Sequence, residues 1–145
     1  MRLLVLVAGC VALATPAAAG EWRPVAQGDS FVAGIDYSRV NDTGGRKQVW
    51  VIKSFRRPDQ ENTSYTLSRV EIDCRGGTYR RMSLAGYSNA GQSIYSMQPT
   101  LEIEQVIPDT VNDRIMTAVC EGTRFSDIST ETSSELHSYI LQNWW

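Results

Sequence analysis

From residue 31 to residue 97 the chain reads as short runs of β-type patterning separated by turn residues; after Pro108 the period becomes helical. Phe31 to Tyr37 is apolar enough for a strand, and it stops before the turn-forming run Asn41-Asp42-Thr43-Gly44-Gly45. From Lys47 to Phe55, Val49, Val51 and Phe55 fall on one side and Trp50 and Ile52 on the other. Partial apolarity on both sides predicts a central strand. A polar loop from Arg56 to Asn62 leads to a strand over Tyr65–Cys74. Its apolar positions change parity between Leu67 and Val70, which predicts a β-bulge near Ser68-Arg69. Gly76-Gly77 turns into a strand over Tyr79–Tyr87, and Asn89-Ala90-Gly91 turns into Ser93–Met97. Connections this short predict an antiparallel meander. Leu101 to Ile107 reads as a further strand or as an extended approach to Pro108.

Beyond Pro108, Asp109 or Thr110 offers an N-cap, with Asp113 three residues after Thr110. Val111, Ile115, Ala118 and Val119 recur at helical spacing, and Gly122 suits the C-cap. A Ser/Thr-rich linker, Ser126 to Ser134, precedes a second helical segment with Leu136, Ile140 and Trp144 along one side. The fold class expected is therefore α+β: an antiparallel sheet followed by a short helix and then a second helical segment.

The amino terminus changes the setting. Arg2, the apolar runs Leu3 to Val7 and Val11 to Ala14, the break at Pro16 and the small residues Ala17-Ala18-Ala19 have the layout of a signal peptide cleaved after Ala19. The apolar stretch is too short to span a bilayer, and no transmembrane span is expected after cleavage. Val7-Ala8-Gly9-Cys10 leaves a lipoprotein as the alternative. The expected organisation is residues 1–19 as signal peptide, 20–122 as the main domain, and 123–145 as linker and C-terminal helical segment. Once Cys10 is gone, Cys74 and Cys120 remain, and an even pair in an exported chain reads as a disulfide. The alternative is two reduced thiols in a buried core. The expected location is the periplasm or the cell surface, including association with the outer membrane.

Charge is unevenly distributed although the whole chain carries a net of only −2. Residues 46–81 hold nine basic and four acidic residues, whereas residues 82–145 hold two arginines and eight acids. Scattered ion pairs on solvated strands would account for this. A cationic surface that recruits an acidic partner is the sharper reading. Its candidate ligand-binding residues are Lys53, Arg56, Arg57, Arg69, Arg75, Arg80 and Arg81. Arginine suits bidentate contact with carboxylate, sulfate or phosphate. The expected partner is a protein or polyanion: a matrix protein, a glycan or outer-membrane phosphate. Nucleic acid is not expected of an acidic exported domain, and a homodimer is compatible with the sequence. Arg80 and Arg81 must point to opposite sides of their strand, so only one can share a face with Arg69 or Arg75 by simple alternation.

Catalytic chemistry is not expected. Asp42-Thr43-Gly44 spells an aspartic-protease tripeptide, but that chemistry needs two such carboxylates and the chain has one copy, in a turn. His137 is the only histidine, at a polar helix position, and is expected at the surface; a hydrolase built on it would lack a nucleophile elbow. No metal or cofactor is expected: Asp36, Asp42, Glu102 and Glu104 lack calcium-loop spacing, and no glycine-rich strand-to-helix loop is present. The Trp144-Trp145 pair is expected to pack on the parent domain, with an exposed contact as the alternative.

Several landmarks occur in a distinctive order: Trp22, Gly34-Ile35-Asp36-Tyr37, Val49-Trp50, Ile72-Asp73-Cys74 with Tyr79-Arg80, Tyr87 and Gly91, and Ile107-Pro108-Asp109 leading to Val119-Cys120. In this order and spacing, residues 22–120 resemble the surface-adhesin protein E family of proteobacteria. The resemblance implies a six-stranded antiparallel sheet with an α-helix tethered to its concave face by the disulfide. It also implies a non-enzymatic, adhesin-like binding protein that contacts extracellular-matrix-type ligands partly through basic residues. A periplasmic inhibitor or accessory subunit acting on another bacterial protein is the alternative function. The segment after Gly122 lies outside the resemblance.

Overall fold

The computed structural model describes residues 19–100 and 102–145; apart from Ala19, the expected signal peptide and its lipobox alternative lie outside the described residues. Eight strands are described: β1 (Trp22–Gln27), β2 (Phe31–Asp36), β3 (Asn41–Thr43), β4 (Arg46–Phe55), β5 (Tyr65–Asp73), β6 (Thr78–Tyr87), β7 (Ser93–Met97) and β8 (Glu104–Gln105). Two helices follow, α1 (Val111–Glu121) and α2 (Ser133–Asn143). All pairings are antiparallel, in the order β1-β2-β4-β5-β6-β7; β3 pairs with β4 and β8 with β6. The six-stranded path and the following helix match the expected fold class. β8 spans only two residues of the stretch considered for a further strand.

The sheet is covered on both sides, and this explains the sequence pattern. On one face Ala33, Ile35, Val49, Val51, Val70 and Ile72 pack with Ile115, Ala118 and Val119 of α1. On the other, Trp22, Val32, Ile52 and Tyr65 pack with Leu136 and Ile140 of α2. β5 contributes Tyr65 and Leu67 to the α2 face, then Val70 and Ile72 to the α1 face. Its change of parity is thus a change of partner layer. Pairing of β4 with β5 runs without interruption from Lys47↔Ile72 to Ser54↔Tyr65, so β5 has no bulge there. The register shift at Arg69/Val70 arises in β6, where Met82 is the extra residue between Arg81 and Ser83. The bulge expected near Ser68-Arg69 is corrected accordingly.

The helices are attached differently. Thr110 caps α1 by accepting a hydrogen bond from Asp113 N, and Gly122 closes it at φ 71°. Cys120 in its last turn is bonded to Cys74 just after β5, with Cα atoms 5.8 Å apart. Lys47 of β4 donates to the carbonyls of Val119 (3.1 Å) and Cys120 (3.4 Å), satisfying acceptors that the helix end leaves open. α2 has no covalent tie. Thr132 and Glu135 form a reciprocal capping box, and Gly34 of β2 gives Leu136 room to lie on the sheet. A Cβ at Gly34 would fall 2.7 Å from Leu136 and 2.8 Å from the Arg23 carbonyl.

His137 is not at the surface. It is 1% exposed beneath α2, its Nδ1 2.7 Å from Ser54 Oγ and its Nε2 3.1 Å from Asn89 Oδ1, with Tyr65 against the ring. Asn89 Oδ1 can only accept, so Nε2 carries the proton and Nδ1 accepts from the Ser54 hydroxyl. Burial lowers the imidazole pKa below 6.5, favouring this neutral form. The expectation of a surface histidine failed because α2 buries a stripe wider than Leu136, Ile140 and Trp144. Trp144 and Trp145 are half-buried against the same cluster, as the packing reading expects.

Candidate functional site

Parity and register sort the basic residues into separate places. Lys53 and Arg81 lie on the α1 face. The Lys53 ammonium stands 5.0 Å from the Phe31 ring centroid, and its pKa is lowered by burial and then by the charge of Arg81. Arg56 and Arg57 are exposed in the loop after β4, Arg56 lying 5.4 Å from the Trp145 ring. Arg75 occupies the β5–β6 turn, where its backbone N donates to Asp73 Oδ1. Arg69 and Arg80 share the α2 face, on the part of the sheet beyond the helix. The seven sequence candidates therefore do not form one patch.

Around Arg69 and Arg80 the register builds an organised cluster. Gln48 of β4 lies opposite Glu71 of β5, which lies opposite Arg80 of β6. One row along, Trp50 faces Arg69, which faces Ser83. Glu71 Oε1 accepts from Arg80 Nη2 at 2.7 Å and Arg46 Nη1 at 3.1 Å, and Oε2 accepts from Gln48 Nε2 at 3.2 Å. Gln48 then accepts from Arg69 through its own carbonyl. Burial works to raise the Glu71 pKa, but hydrogen bonds from Gln48 and Arg46 and the Arg80 charge hold it below the ordinary glutamate value of 4.5.

The result is a carboxylate only 9% exposed that fixes the arginines around it, while Arg46 and Arg69 stay open to solvent. A second buried carboxylate repeats the device. Asp36, 0% exposed, accepts from the backbone N–H groups of Glu21 and Ser38, from the Ser38 hydroxyl and from Arg39 at 3.0 Å. Arg39 itself remains exposed at the edge of the same face. Negative charge is drawn inward and guanidinium groups face out, preorganised. Arg39, Arg46, Gln48, Trp50 and Glu71 were not among the candidates. The segmental charge count did include Arg46 and Glu71, but bringing them together with Gln48 and Trp50 needs the β4–β5 register, and Arg39 sits in the turn after β2; periodicity alone supplies neither.

Trp50 stands between two depressions that share Trp50 and Arg39. One, of about 170 Å³, is also lined by Asn41, Gln48 and Arg69; the other, of about 290 Å³, by Leu67, Tyr87 and the residues leading into α2. Elsewhere, Ser54 Oγ is within reach of His137, but Ser54 is 0% exposed, so that pair links α2 to the sheet and is closed to a substrate. Among the described residues no cluster of histidine, cysteine, aspartate or glutamate could hold a metal ion, and no helix is long and apolar enough to cross a membrane.

The family model described as surface-adhesin protein E matches residues 22–121, stopping at the end of α1 and before α2. No curated protein matches the chain. Among solved structures it is similar to Haemophilus influenzae protein E, at 12% identity and a TM-score of 0.46, over 69% of this chain and 90% of that one. The family match covers more than half of the sequence and takes in both cysteines of the disulfide. The chain belongs to the surface-adhesin protein E family.

Proposed function

We propose that this protein is an exported, non-enzymatic, adhesin-like binding protein that engages an anionic partner through the arginine face built on Glu71. The observation that carries the reading is the Arg46–Glu71–Arg80 and Gln48–Arg69 network on the uncovered part of the α2 face. Isolated surface cations pay a conformational cost when they close on a ligand, whereas guanidinium groups already held by a buried carboxylate pay less. Arg75 lies close to this network, bordering a shallow depression with Arg46 and Asp73. Lys53 and Arg81 face the opposite layer, and Arg56 and Arg57 sit apart in the loop after β4.

Family membership supports the adhesin-like, cell-surface reading; the expected signal peptide supports export. The test uses immobilised heparin and polyglutamate as probes. The Arg46→Ala/Arg69→Ala variant should lose about tenfold or more in affinity and flatten the salt dependence, while Lys53→Ala/Arg81→Ala changes little. Failure of both probes to bind, or loss confined to the Lys53/Arg81 variant, would refute the reading.

A further inference from the structure

We infer that the two depressions flanking Trp50 form an acidic-saccharide subsite, with the indole as the stacking surface and Arg69 and Arg39 as contacts for carboxylate or sulfate groups. The inference rests on the anionic-partner reading and names the ligand class. It starts from size and continuity. At about 170 and 290 Å³, each depression is at or below the ~300–1,000 Å³ usual for a pocket that encloses one small molecule. They share Trp50 and Arg39, so together they form a short track that suits successive units of an extended polymer.

The lining selects among polymers. Trp50 is half-buried, its position fixed against the α2-face cluster. An indole held in this way presents a broad apolar surface with little loss of conformational freedom on binding. Around it stand groups that bond to hydroxyls: Asn41 and Gln48 on one side, and Thr132, Ser133 and the carboxylate of Glu131 on the other, which places the acidic substituents toward Arg69. Arg69 is exposed, is held by the neutral Gln48, and supplies the fork that a carboxylate or two oxygens of a sulfate match. Arg39, fixed by Asp36, reaches both depressions. An indole, amides, hydroxyls and arginines fit a sugar ring that bears acidic substituents.

An acidic peptide fits less well. Extended peptides draw much of their affinity from pairing with the backbone of a free sheet edge, and helical ones need an apolar groove. Trp50 is on β4, an interior strand paired with β5 along one edge and with β2 (from Val51) and β3 (up to Gln48) along the other, so only Val49 and Trp50 lie between those pairings, too short a gap to hold an extended peptide as a strand. Leu67 and Tyr87 are confined to one of the two depressions, leaving the other polar apart from Val49 and Trp50.

Calorimetric titration with a heparin-derived hexasaccharide, a neutral hexasaccharide and hexaglutamate tests this. The acidic saccharide should bind most tightly. Trp50→Ala should weaken it about tenfold or more, Trp50→Phe less, and Arg69→Ala should weaken it while reducing the salt dependence. Melting curves of each variant identify any loss that comes from unfolding, and Trp50→Phe, which keeps a ring in place, guards against that outcome. Hexaglutamate binding as well as the acidic saccharide, or saccharide binding indifferent to both Trp50 substitutions, would overturn the inference while leaving the anionic-partner reading standing. If neither acidic probe binds, both fall.

Discussion

The two faces of the sheet carry helices of equal length held by different means. α1 is joined to β5 through Cys74 and Cys120 and has its terminal carbonyls satisfied by Lys47. α2, beyond the family match, depends on Leu136 and Ile140, a capping box and the buried His137. Attachment through a cross-link acts largely on the unfolded chain and does not titrate in the acidic range. Attachment through a buried neutral imidazole is weakened when that ring is protonated, because the charge is cut off from solvent. The two layers should therefore respond differently to reduction, to added bulk and to pH.

The largest effect is expected from the cross-link. Its partners are 46 residues apart, and closing a loop of that length is worth roughly 4 kcal/mol through the unfolded state. Cys74→Ala/Cys120→Ala should lower the melting temperature by roughly 15 °C. An unchanged melting curve would mean that packing alone holds α1.

Gly34→Ala attacks the other face. The added methyl meets Leu136 and an immovable backbone carbonyl, so a loss of about 1–3 kcal/mol is expected by chemical denaturation. α2 should be the region that loses protection from hydrogen exchange first; equal loss in α1 would contradict the separation of layers.

The pH response isolates His137. Burial depresses its folded pKa below 6.5, so the unfolded chain takes up this proton first as pH falls. Stability is complete above pH 6.5 and declines as pH drops below it toward the depressed folded value. Glu21, Glu71 and Asp73 have lowered pKa values through hydrogen bonds and nearby arginines, so their contribution is lost as pH falls from the ordinary carboxylate range downward, below the histidine's window. A decline as pH falls below 6.5 that disappears in His137→Gln is expected; an identical slope in both proteins would remove the histidine from the account. The smallest effect is Thr132→Ala, about 1 kcal/mol, because it breaks one half of the α2 capping box.

The same two-sidedness decided what was legible beforehand. Apolar residues on both sides of β4 marked it as a central strand, though not the second helical layer that covers it, and the α1 cap and stop at Thr110 and Gly122 were readable from local chemistry. β5 misled because its apolar positions serve one layer and then the other, a pattern that mimics a bulge in a one-sided strand. β1 was missed because Pro24 and a register shift between Pro24 and Ala26 break its alternation. At the candidate site, strand parity separated Arg80 from Arg81 correctly. The pairing of Gln48 with Glu71 is a tertiary fact that no local pattern encodes.

The central claim is that anionic ligands meet the protein on the face organised by Glu71. It is tested most directly by following side-chain nitrogen signals of arginine and lysine by NMR during titration with heparin. The account predicts that Arg69, Arg46 and Arg80 shift first and saturate together, while Lys53 and Arg81 stay in place. Shifts led by Lys53 and Arg81, with Arg69 unmoved, would contradict it.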